Sequence, residues 1–173
     1  YNTERGNVLR AFQNKYKIDS DISREYFEVI DGMSINSEKG NVIKDLLATQ
    51  KLDKKVLSDL IYTVDDFSSE SEKAAIYRLL VPFVVGDDDL TSQLIIETKQ
   101  MNSSYRYLQE EILEFIAKGR IVTDNNLSKS AVLNLLSIAK TYDANTRKTI
   151  SLRKLHGSLT NDPEVIKSYF YVI

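Results

Sequence analysis

The sequence predicts an all-α fold, a right-handed α-solenoid of about five helical hairpins running through residues 1–173 as a single domain. Three observations predict it. A nine-residue phrase recurs, as Asn2-Thr-Glu-Arg-Gly-Asn-Val-Leu-Arg10, as Asn36-Ser-Glu-Lys-Gly-Asn-Val-Ile-Lys44 and, more weakly, as Glu70-Ser-Glu-Lys-Ala-Ala-Ile-Tyr-Arg78. The spacing between Glu4, Glu38 and Glu72 is 34 residues each time, and a fixed period of roughly 20–50 residues marks a stacked repeat array. The apolar residues between the copies keep the same register at helical spacing, and strand alternation fits nowhere over this length. Only two prolines occur, so long stretches are free to be helical.

Each copy opens on Thr3, Ser37 or Ser71, whose hydroxyls are expected to cap a first helix. Glu4, Glu38 and Glu72 follow, with charge suited to the positive end of the helix dipole. A cation comes next, then a small residue: Gly6, Gly40 and Ala74. Glycine inside a helix costs about 1 kcal/mol against alanine, so its recurrence predicts that a neighbouring backbone passes close. Val8, Val42 and Ile76 begin an apolar stripe, continued one turn on by Phe12, Leu46 and Leu80.

Polar linkers (15–19, 50–53 and 86–89) lead to second helices, also in register. Their columns are Ile22, Val56 and Leu90; Tyr26, Leu60 and Leu94; Ile30, Val64 and Thr98; then Met33, Phe67 and Met101. These offsets share one helix face. Pro82 is expected to kink or end the first helix of the third repeat. The fourth copy is blurred: residues 107–117 read as its first helix, ended by Gly119, and residues 127–139 as its partner. A fifth starts at Asn145, and Asp162 with Pro163 forms a helix start before an apolar ending, 169–173. The repeats fall at approximately 1–35, 36–69, 70–103, 104–143 and 144–173.

Tetratricopeptide repeats share the 34-residue period, but their Trp, Gly, Tyr and Pro positions are not matched, and the Thr-Pro-Leu-His turn of ankyrin repeats is absent. The Ser-Glu-Lys-Gly-x-Val phrase followed by a short apolar helix resembles HEAT-like repeats of bacterial proteins. It is similar in particular to the tandem helical repeats attached to antirepressor-type membrane peptidases and found in stand-alone exported proteins. The resemblance covers the first 117 residues well and the rest loosely. It implies an interaction module and carries over no catalytic residue. It also implies an extracytoplasmic setting, periplasmic or at the cell surface, as the soluble part of a larger envelope protein. The start at Tyr1 reads as that of a mature or excised fragment.

Chemistry is sparsely supplied. The chain has no cysteine, which excludes disulfides, thiolate metal sites and thiol catalysis. His156 is the only histidine and lies beside Arg153 and Lys154, with no nucleophile to partner it. Asp87-Asp88-Asp89 lacks EF-hand spacing and reads as a helix cap with favourable dipole charge. Arg147, Lys148, Arg153 and Lys154 form one basic cluster confined to one repeat, and the net charge is −2, so nothing drives the chain toward nucleic acid. No apolar run approaches the roughly 20 residues a membrane helix needs. Mean hydropathy is −0.29. The expectation is therefore no enzyme, no cofactor, no metal and no membrane insertion.

The most informative surface lies on the second helices. Six residues past the first core column stand Glu28, Tyr62 and Ile96, and at a longer offset Leu133, a column that turns apolar toward the C-terminus. It is flanked by Glu25, Asp59 and Gln93 on one side and by Asp31, Asp65 and Lys99 on the other. An exposed apolar strip with an acidic edge is what a protein- or peptide-binding groove would show. The competing expectation is that Ile96 and Leu133 pack against adjacent repeats. The leading reading is a scaffold binding an unidentified protein or peptide. The alternative is a structural spacer or regulatory module of a larger envelope protein, with a nucleic-acid-binding or enzymatic HEAT-like domain a weaker third.

Overall fold

In a computed structural model the structure describes residues 2–84, 87–102, 105, 107–108, 111, 129–140, 142, 145–156 and 161–173. Among the described residues regular structure is helical, with no strand: α1 (Asn2–Lys15), α2 (Ser23–Asp31), α3 (Asn36–Thr49), α4 (Lys54–Asp65), α5 (Glu70–Val84), α6 (Asp88–Gln100), α7 (Lys129–Lys140), α8 (Asn145–Leu155) and α9 (Pro163–Val172). The chain divides into two compact units, Tyr1–Phe83 and Val84–Ile173. The expected fourth-repeat helix 107–117, its end at Gly119 and the first residues of its partner lie almost wholly outside the described residues.

In the first unit, α1 packs on α3 and α2 on α4, so hairpin 1 (α1–α2) lies against hairpin 2 (α3–α4). The core follows the columns: Tyr26, Ile30, Met33, Val42, Leu46, Val56, Leu60, Val64 and Phe67 are all buried. Ile18 and Leu52, in the linkers between helices, are buried as well. Burying an aliphatic side chain of this size contributes about 1.5–3 kcal/mol, which is what holds such short helices, since isolated helices under roughly 12–15 residues are marginal.

The joint between hairpins repeats with the sequence. Asn2 Nδ2 donates to Ser34 Oγ at 2.8 Å while Ser34 N–H donates back to Asn2 Oδ1 at 3.0 Å. Asn36 and Ser68 make the same pair of bonds at 2.8 and 3.2 Å. Glu38 enters the notch over Gly6 and accepts from the Arg10 guanidinium at 2.7 Å. Glu72 likewise enters the notch over Gly40, where its carboxylate forms an ion pair with Lys44 Nζ at 3.5 Å. Lys39 donates to the Asp31 carbonyl at 3.0 Å, and Lys73 reaches the Asp65 carboxylate at 3.3 Å, each at the C-terminus of the preceding hairpin's second helix. One expectation is corrected here. The recurring glycine makes room for a glutamate side chain of the next hairpin, not for a backbone. At the third copy Ala74 stands in the glycine's place.

The caps are corrected too. α3 begins at Asn36 with Ile35 at the capping position and no side-chain cap, so Ser37 lies in the first turn. Asn2 likewise lies in α1 ahead of Thr3. Near Ser71 it is Ser69 Oγ that accepts from Glu72 N–H, at 3.4 Å. Aspartates cap three helices: Asp53 on α4, Asp87 on α6 and Asp162 on α9, the last two as the sequence predicts. Pro82 lies inside α5, two residues before its last described residue, Val84.

In the second unit α7 packs on α6, α8 and α9. Its core includes Leu90, Leu94, Ile95, Val132, Leu135, Leu136, Ala139, Tyr142, Leu155, Val165 and Val172.

Candidate interaction surface

The second helices present their outward column as follows. On α2, Glu28 is exposed and its carboxylate accepts from Arg24 Nε at 3.0 Å, one turn apart. Glu25 is exposed as well, but it faces the groove between α1 and α2. On α4, Tyr62 is 58% exposed. Its neighbour Asp59 is half-buried: it accepts from Ser23 Oγ of the preceding hairpin at 2.8 Å and pairs with Lys55. Asp59 thus ties hairpin 1 to hairpin 2. Asp65 pairs with Lys73.

In the second unit Ile96 is 47% exposed on α6 and Gln93 is half-buried. Leu133 is half-buried on α7, where it lines a pocket of about 380 Å³ with Ser137, Lys140, Lys167 and Tyr171. Lys99 Nζ donates to Ser137 Oγ at 2.6 Å, and burial holds its ammonium below the usual lysine range. Lys140 Nζ stands 4.7 Å from the Tyr171 ring centre, a cation–π distance.

Within each unit, therefore, the large apolar members of the column reach solvent, while several acidic neighbours already hold a cation. The exposed Arg24–Glu28 pair contributes about 0–1 kcal/mol and only blunts the acidic edge locally, whereas the more buried Lys73–Asp65 pair belongs to the joint between α4 and α5. Burial raises the Asp31 carboxyl above its ordinary value, Lys39 opposing the shift and Asp66 and Glu28 adding to it. Among the described residues, no group of three or more His, Asp or Glu side chains is arranged to hold a metal ion. None of the described helices is long and apolar enough to cross a membrane. His156 is exposed just past α8.

Sequence reasoning missed one surface. Val8 and Phe12, placed in the core stripe, are 68% and 38% exposed, and Val29 is 44% exposed. With Ile22 and Leu9 they line a largely apolar groove of about 510 Å³ between α1 and α2, with Glu4 and Glu25 at its rim. Periodicity assigns a residue to a column but does not say whether a neighbouring hairpin covers it.

No protein-family model matches the chain, and neither a curated protein nor a solved structure matches it.

Proposed function

We propose that the chain is a HEAT-like, right-handed α-solenoid of about five hairpins, and that it serves as a non-enzymatic scaffold binding a protein or peptide through the outward face of its second helices. The observation that carries this reading is the exposure of Tyr62 and Ile96, at 58% and 47%, beside core columns that are almost wholly buried. Large side chains held at solvent on rigid helices lose little entropy on docking, which suits them to anchor a partner. The acidic residues flanking the column favour a partner with a basic edge that competes with Arg24 and Lys55 for Glu28 and Asp59, one whose association slows as salt rises. The resemblance to envelope-protein repeats favours an extracytoplasmic setting.

The spacer alternative draws on a different observation, the recurring Asn–Ser and Gly–Glu–cation joints, which serve stacking alone. Tyr62→Glu and Ile96→Glu separate the two readings. Both sites are exposed, so each substitution should shift stability by no more than about 0.5 kcal/mol. Affinity capture with the unaltered chain should retain a partner that both variants lose, with circular dichroism and melting temperature unchanged. A loss of fold would sink the docking surface. Capture that survives both substitutions would overturn this surface, and no capture by the unaltered chain would leave the spacer.

A further inference from the structure

The groove between α1 and α2 has a counterpart inside the protein. Thirty-four residues on, Val8, Phe12 and Val29 become Val42, Leu46 and Thr63. These are 0%, 0% and 5% exposed, against 68%, 38% and 44% on hairpin 1. Hairpin 2 has a hairpin packed on it from the N-terminal side and hairpin 1, among the described residues, does not. The groove is therefore the same surface uncovered. Its rim matches as well. Glu4 occupies the place of Glu38 and Glu72, the two carboxylates that enter a glycine notch on the preceding hairpin and meet a cation one turn further on.

We propose that this groove docks a helical hairpin of the protein's own repeat type, one whose first helix carries Asn-x-x-x-Gly-x-x-x-Arg or Lys on the contacting face. Asn2-Gly6-Arg10 and Asn36-Gly40-Lys44 are the two instances of that pattern on the page. The occupant's apolar face covers Val8, Phe12 and Val29. Its glycine admits Glu4, its cation sits above that carboxylate, and its final loop supplies a serine to Asn2's predecessor position, as Ser34 and Ser68 do in the joints described. An unrelated amphipathic helix would cover the apolar floor but would offer Glu4 no notch. The proposal is independent of the Tyr62 and Ile96 surface.

The test extends the full chain. Residues 1–34 are duplicated directly ahead of Tyr1, which puts Tyr1 where Ile35 stands and keeps the 34-residue register. Because the protein has no cysteine, Val8→Cys in the original copy is a unique thiol probe. In the unextended chain it should react with a maleimide as fast as a free thiol. In the extended chain the rate should fall at least about 100-fold, because reaction then waits on local opening. Gly6→Leu in the added hairpin should restore fast labelling. Val29→Cys serves as a second probe, and circular dichroism confirms that each chain is folded. Fast labelling at both probes in the folded, extended chain overturns the proposal. Equal protection with Gly6→Leu overturns the notch chemistry and leaves generic apolar docking. Slow labelling of the unextended chain that depends on its concentration overturns it in favour of a second copy of the protein as occupant.

Discussion

Substituting Gly6 by alanine sets two opposing effects against each other. Alanine is preferred over glycine in a helix by about 1 kcal/mol, and α1 alone would gain that. The added methyl, however, would collide with Glu38 Oε1 and stand 3.0 Å from its Cδ and 3.1 Å from its Cγ. Oε1 is in hard clash and Cδ and Cγ are a few tenths of an ångström too close, so the Glu38 carboxylate must swing aside, and with it goes the 2.7 Å bond to Arg10. Those side chains are only 16% and 24% exposed, so neither recovers full hydration where it stands. A hydrogen bond to a charged group contributes about 1.5–3 kcal/mol, and partial solvent screening brings the expected loss to roughly 2. Gly6→Ala should therefore destabilise by about 1 kcal/mol net. With Glu38→Ala already in place the obstacle is gone, and the same substitution should stabilise by about 1 kcal/mol. The double-mutant cycle should thus show about 2 kcal/mol of coupling. Urea unfolding of the four proteins measures it, with hydrogen exchange in α1 and α3 as the local readout. If Gly6→Ala is equally stabilising in both backgrounds, the notch has no energetic meaning. Gly40→Ala provides the contrast: its methyl would meet Glu72 Oε2 at 2.7 Å but Cδ only at 3.6 Å, so the carboxylate tip can rotate away and the change should be neutral to stabilising.

Asn36→Ala removes two bonds to Ser68 and should cost about 1–2 kcal/mol by denaturant unfolding, whereas Asn36→Ser should recover little of it because the shorter side chain reaches only one partner. Val42→Ala, at a fully buried site, should cost about 1.5 kcal/mol or more, while Val8→Ala, in the equivalent exposed place, should change stability by less than about 0.5 kcal/mol. Asp31 gives a pH dependence. Burial raises its folded carboxyl above the ordinary 3.8, so the folded state holds the proton more tightly than the unfolded one. The resulting stability is fully present below pH 3.8 and is lost as pH rises through the folded value. Asp31→Asn should accordingly raise the melting temperature at pH 7 and flatten its decline between pH 4 and 7; an unchanged profile would show that Asp31 does not contribute.

Much of the fold was legible because its columns are long and strictly spaced. The buried sets Tyr26, Leu60, Leu94 and Val56, Leu90 are the predicted ones, as are the caps at Asp87 and Asp162. What escaped depended on partners far along the chain. Thr3, Ser37 and Ser71 read as caps because hydroxyls often cap, yet the asparagine ahead of the first two joins the helix and bonds across to the next loop. Asp59 read as the edge of a groove, and its real partner, Ser23, is 36 residues away with Leu57 at the next equivalent position, so no repeat announces it. Val8 and Phe12 fit a core stripe by spacing alone. On the candidate surface, spacing placed Tyr62 and Ile96 opposite the core; Arg24–Glu28 and Lys55–Asp59 are four apart and readable as helix pairs, whereas Lys73 reaches Asp65 across a turn that periodicity does not encode.

The joint between hairpins 1 and 2 and the joint between hairpin 2 and α5 share a glutamate over a glycine and a lysine at the end of the preceding helix. Excising residues 36–69 would bring Glu72 to Gly6 and Arg10, and Lys73 to the end of α2, each meeting the kind of partner it already has. A deletion of any other length would set glutamate against a bulky helix face. A step of 34 residues therefore preserves the glutamate–glycine and lysine contacts of the first unit, while the Ser23–Asp59 bond, which has no repeat equivalent, would be lost.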